Sequence, residues 1–158
     1  MPDGFNNLRI GQISSLVPAK CRARVAFDDM DGAVSGELPI GQGRTVKAQF
    51  YTMPEVGEHV LCYFRNEGIE DGFILCSYYT DGNLPKNVGP GRFKVEFDDG
   101  AVFEYNANTQ TAIVKAEHIE ITGDVKITGN IAVTGNISAS GTIMDSAGNS
   151  NHHTHPGL

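Results

Sequence analysis

Apolar and polar residues alternate along this chain in short runs bounded by Gly, Pro, Asn and Asp, and apolar spacing of the helical kind is hard to find anywhere. The pattern predicts an all-β protein. In the first zone the strand-like runs are Leu8–Val17, Cys21–Phe27, Thr45–Tyr51, His59–Phe64 and Gly72–Tyr79, separated by turn signals such as Asp31-Gly32, Gly41-Gln42-Gly43 and Asp71-Gly72. Five strands in about 75 residues predict a small closed barrel of the oligonucleotide/oligosaccharide-binding (OB) type. A linker rich in Gly and Pro follows, from Asp81 to Gly91. Beyond it, Phe93–Phe97 and Ala101–Tyr105 alternate on either side of Asp98-Asp99-Gly100, which predicts a hairpin, and Thr111–Ala116 continues the meander.

From Ile119 the sequence repeats every six residues without an insertion. Ile119, Val125, Ile131, Ile137 and Ile143 hold one position, and Ile121, Ile127, Val133 and Ala139 hold the position two residues later. Side chains alternate along an extended strand, so both sets share a face. Gly123, Gly129, Gly135 and Gly141 follow a hydroxyl residue and precede Asp124, Asn130, Asn136 and Thr142, the chemistry of a sharp bend at positive φ. A flexible linker has no reason to keep apolar residues in two strict registers. A left-handed β-helix of one chain would complete fewer than about one and a half turns here, leaving its apolar stack open at both ends. Three chains wound about one axis close each layer, so the repeat predicts an intertwined triple-stranded β-helix and a homotrimer. The expected organisation is therefore a barrel over residues 1–85, a linker and hairpin region over 86–117, the β-helix over 118–145 and an apex over 146–158.

Composition narrows the function. The 158 residues include 19 Gly and no Trp, and 12 Lys+Arg against 19 Asp+Glu give a net charge of −7. That balance lacks the basic stripe that phosphate-backbone binding needs, so no nucleic-acid partner is expected. Cys21, Cys62 and Cys76 have no metal-ligand spacing and stand in apolar or strand-like runs, which predicts buried, reduced thiols. No apolar run approaches the length of a membrane helix, and Met1–Ile10 lacks the regions of a signal peptide, so a soluble chain is expected. Ser14, Ser15 and Ser77 have no His/Asp signature beside them, and Glu55, Glu58, Glu67, Glu70 and Asp71 read as loop and strand-edge charges. The expectation is a protein that is not an enzyme and has no small-molecule substrate.

Three of the five histidines fall in the last eight residues, Asn151-His152-His153-Thr154-His155-Pro156-Gly157-Leu158. In an extended segment His153 and His155 point to one side, and His152 to the other. Two imidazoles hold a metal weakly; three chains meeting on an axis supply six nitrogens, which suits octahedral coordination of a first-row transition metal. His59 and His118 stand alone and read as ordinary surface or partly buried histidines.

The order of these segments resembles the baseplate assembly protein V, or tail-spike, family of contractile-tailed bacteriophages, related to the spikes of type VI secretion systems. Met53–Phe64 followed by Asp71–Tyr78 is similar to that family's barrel signature, Phe97–Tyr105 to its post-barrel hairpin, and the hexapeptide repeat with His153-Thr154-His155-Pro156-Gly157 to its trimeric β-helix and metal-holding tip. The resemblance implies a homotrimeric needle at the tip of the tail baseplate in the virion, assembled in the host cytoplasm. It implies attachment to tail hub and baseplate proteins through the barrel. It also implies mechanical piercing of the host outer membrane during sheath contraction, with one iron per trimer, rather than zinc, on the His153 and His155 pairs. Set against some members of that family, the chain is expected to have a short β-helix and no lysozyme or other effector domain. From Asn130 onward its only charged side chain is Asp145, so the tip carries few groups that are costly to bury in a bilayer. Two other classes compete: a trimeric receptor- or oligosaccharide-binding fibre module, which should end in a broad aromatic head, and a hexapeptide-repeat acyltransferase, which needs several full turns per chain.

Overall fold

The computed structural model describes residues 7–145 and 148–149, with side chains as far as Met144. The described residues are all-β: nothing helical occurs among them beyond two single 3-10 turns, Pro18–Lys20 and Asp28–Met30. They fall into two compact units, one of residues up to 93 together with 105–111, the other of 94–104 and the residues from 112 onward.

The first unit is one antiparallel sheet that curls on itself. Its strands are β1 (Leu8–Val17), β2 (Arg22–Phe27), β3 (Ala33–Val34), β4 (Leu38–Pro39), β5 (His59–Phe64) and β6 (Gly72–Ser77). The order is β3-β2-β1-β5-β6, with β4 also on β2. Ile40, just after β4, forms a parallel bridge to Ile74 in β6, and the Gly41 N–H donates to Ile74 O at 2.7 Å. The two edges of the sheet thus meet. Period-two burial follows from the alternation: Ala23, Val25 and Phe27 of β2 and Val60, Cys62 and Phe64 of β5 all point inward. With Ile13, Leu38 and Ile74 they make the core, and Phe27 meets Phe64 edge to face at 5.7 Å between ring centres. Ser35, also buried, is satisfied by the Val25 N–H at 2.9 Å and by Gly36 O at 2.8 Å. Gly11 is required by crowding, because a Cβ there would lie 2.5 Å from Val25 Cγ1 and 2.6 Å from Ala26 O.

Two expectations for this zone are corrected. Thr45–Tyr51 is no strand: Gln42 ties back to Thr52, the Phe50 N–H donates to Arg44 O at 3.0 Å, and Lys47 sits at φ +65°, so the run closes as a compact loop. The pairing expected of it goes to the two-residue strands β3 and β4. The three cysteines are not all buried. Cys62 is, but Cys21 occupies a left-handed position (φ +50°) just before β2, and Cys21 and Cys76 are both exposed.

A three-stranded sheet follows, β7 (Arg92–Glu96), β8 (Val102–Asn106) and β9 (Thr111–Lys115), in that order. The Asp98-Asp99-Gly100 turn forms as expected: Gly100 takes φ +83°, its N–H donates to Phe97 O at 2.9 Å, and the Phe97 N–H donates to Ala101 O at 3.0 Å. After β9 no stretch pairs as a strand with another part of the described chain until β10 (Met144–Asp145) meets β11 (Gly148–Asn149) antiparallel.

Candidate functional site

The hexapeptide segment carries three of the four expected corners; Gly141, expected at positive φ as well, does not take it. Gly123, Gly129 and Gly135 take φ +130°, +145° and +136°, a backbone open to glycine and strained for other residues, recurring every six residues. Between the corners the chain forms neither helix nor paired strand, and its apolar side chains lie in water. Ile121 is 70 % exposed and Ile131 66 %, against 0 % for Phe27 in the core of the first unit. Ile119, Val125, Ile127, Val133 and Ile137 are exposed as well. An apolar stripe this long on a single chain marks a surface made to be covered. The backbone makes the same demand, since a segment without an internal ladder leaves its N–H and C=O groups for water or another chain.

The three-stranded sheet shows an inverted alternation. Phe93, Val95 and Phe97 of β7 and Phe103 and Tyr105 of β8 are exposed, while Lys94, Val102 and Glu104 on the opposite side are half-buried. The Phe97–Ala101 hydrogen bond sets Val95 opposite Phe103 and Phe93 opposite Tyr105, so the aromatic residues share one face. The runs themselves were legible in the sequence. That the aromatic side faces outward was not, because period two shows two faces without saying which is covered.

His153 and His155, the expected metal ligands, lie outside the described residues, as does His152. Imidazole nitrogens are donors that fit iron or another first-row transition metal. Elsewhere, His59 is half-buried with its ring 5.8 Å from that of Tyr78, and the exposed His118 lies 3.5 Å from Glu117. Among the described residues no group of three His, Cys, Asp or Glu side chains converges.

Reasoning from the sequence missed two features of the first unit. One is the loop of residues 42–52, whose basic and aromatic content was read as a strand. The other is a surface cavity of about 470 Å³ bordered by Ile10, Gln12, Asp28, Asp29, His59 and Tyr78. One local charge cluster of this unit centres on Glu37, which accepts from Lys20 at 3.0 Å and lies 3.7 Å from Arg24. The Lys20 hydrogen bond, then the Lys20 charge and those of Arg24 and Arg22, hold the Glu37 carboxyl below its ordinary value against a smaller opposing effect of desolvation. Burial alone pushes the Cys62 thiol up to about 12.

No protein-family model matches the sequence. The chain is similar to the spike protein of Escherichia phage P2, 26% identical over 125 residues, which cover 76% of this chain and 57% of that protein. The match therefore spans somewhat more than half of the relative's length.

Proposed function

We propose that the chain is a phage spike subunit that acts as a homotrimer. The observation that carries this reading is the stripe of isoleucines and valines from Ile119 to Ile143, kept in register by glycine corners six residues apart and exposed in the single chain. Three such stripes turned toward one axis bury each other, and each chain's extended backbone finds its ladder on its neighbours. The aromatic face of the three-stranded sheet asks for the same cover. Similarity to a protein named spike protein, from a phage, supports placing the trimer in a virion.

In this reading the first unit is an OB-type barrel that fixes the spike to hub and baseplate proteins. The β-helix is a narrow prism that concentrates the force of sheath contraction and pierces the host outer membrane. Close-packed apolar interiors deform little, which is what a needle under load requires. Asp145 is the only charged side chain from Asn130 onward, which lowers the cost of passing through a bilayer. His153 and His155 of three chains, holding one iron, would tie the three chains together at the apex. The role is mechanical and needs no catalytic residue.

The test is the mass of the untagged protein in solution by light scattering. The expected value is about 51 kDa, three times the 17.0 kDa chain. A stable monomer of one chain mass overturns the trimer and the piercing role that depends on it.

A further inference from the structure

The loop between Gly41 and Met53 stands from the first unit as one braced piece. Gln42 spans its neck: Nε2 donates to Thr52 O at 2.9 Å, and Oε1 accepts from the Thr52 N–H at 3.3 Å and from the Thr52 hydroxyl at 3.1 Å. The Phe50 ring lies over Gly43, where a Cβ would come within 2.7 Å of Phe50 Cδ2. Braced in this way, the loop presents Val46, Phe50 and Tyr51 to solvent at 72 %, 61 % and 63 % exposure. Arg44 and Lys47 stand among them, and no acidic residue occurs between Glu37 and Glu55 in a chain of net charge −7. Among the described residues neither cation makes an ion pair.

The same unit carries the complement. The cavity beside β1 and β5 is bordered by two carboxylates, Asp28 and Asp29, and by the exposed side chain of Ile10 and the Tyr78 ring. Asp29 is paired with Arg9 at 3.0 Å, whereas Asp28 has no ion-pair partner among the described residues. Loop and cavity share no residue. One chain thus offers a basic, aromatic knob and an acid-rimmed hollow, the two halves of a head-to-tail contact that closes into a ring when the rotation between copies permits. Opposite charges at the rim fix register and orientation, and aromatic anchors supply buried area.

We infer that the loop of one copy seats in this cavity of the next, with Arg44 and Lys47 facing Asp28 and Asp29, so that the barrels of the trimer are locked to one another independently of the β-helix. The inference rests on the trimeric reading. Its test keeps the two apart. Full-length chains lacking the exposed thiols (Cys21→Ser and Cys76→Ser) are made in two forms, one carrying Lys47→Cys and the other Asp28→Cys with a distinguishing tag, then co-expressed and oxidised. The expected result is a disulfide-linked pair containing one chain of each form, absent when either form is made alone. Adding Arg44→Glu to the Lys47→Cys chain should cut the yield of that pair several-fold. A native mass of about 51 kDa with no mixed disulfide, or a yield that Arg44→Glu leaves unchanged, overturns the docking and leaves the trimer standing. A monomeric mass overturns both.

Discussion

Cys62 lies between Val60 and Phe64 on the inward side of β5, and its thiol, pushed up to about 12 by burial, stays neutral and shielded at neutral pH. Cys21 and Cys76 are exposed. A maleimide reagent should therefore label two thiols in the native protein and the third only after unfolding; rapid labelling of all three in the native state would contradict the buried position of Cys62. Glu37 gives a second check. Its carboxyl is held low by the Lys20 hydrogen bond, then by the charges of Lys20, Arg24 and Arg22, so its contribution is present above the ordinary carboxylate range. That contribution fades as pH falls through the lowered value. Glu37→Gln should lower the melting temperature slightly at pH 7, and the gap should close on acidification; a gap that widened toward acid would reverse the sign. The side chain is half-buried and its partner Lys20 is largely exposed, so the effect is small. At this scale the sequence was partly legible. Alternation placed Cys62 inside, but Cys21 was misread because its left-handed position before β2 leaves no mark in hydropathy, and Cys76 because an apolar run does not say which edge of a sheet is open.

Elements were read best where the sequence states a period. β1, β2, β5 and the Asp-Asp-Gly hairpin come straight from alternation and turn chemistry, and the glycine corners at 123, 129 and 135 take the positive φ that their six-residue spacing implies. Thr45–Tyr51 failed for a local reason. Its run of Thr, Val, Phe and Tyr has the composition of a strand, yet side-chain bonds from Gln42 to Thr52 close the neck, and β2 of the first sheet finds shorter pairing partners in Ala33–Val34 and Leu38–Pro39. The repeat itself yields a contrast between two neighbours. In the single chain both Asn130 and Ile131 are exposed, so a monomer should accept Asp at either place. About a dry three-fold axis, Ile131→Asp brings three unpaired carboxylates together, at a cost of at least roughly 3 kcal/mol each. Asn130→Asp at the corner should stay within about 0.5 kcal/mol. Thermal unfolding checks this: a large loss for Ile131→Asp alone is expected, and equal melting temperatures for the two variants would show that the stripe is not buried by other chains.

For the whole molecule the sequence carries information that one chain's structure cannot display, because a face made to be covered by other copies looks like an ordinary exposed surface when it stands alone. In the trimeric reading proposed above, the exposed isoleucines from Ile119 onward and the aromatic side of the three-stranded sheet are such faces. The same holds more strongly for the apex, where a metal site assembled from His153 and His155 exists only if three chains converge. Six imidazoles suit an octahedral ion better than the four-ligand tetrahedron of structural zinc, so untagged protein purified without chelator should contain one iron per three chains by elemental mass spectrometry. Ligating nitrogens must be unprotonated, so occupancy falls as pH drops below the ordinary histidine value of about 6.5, with tight binding moving the loss to lower pH. If the apolar repeat holds a trimer as proposed, replacing both His153 and His155 with Ala should remove the metal while the mass stays near that of three 17.0 kDa chains. His152→Ala should leave the metal in place. A metal content clearly below one per three chains, or a loss that follows His152 instead, would move the site away from these two residues, and a trimer that dissociated with the metal would mean that the ion, rather than the stripe of isoleucines and valines, is what joins the chains.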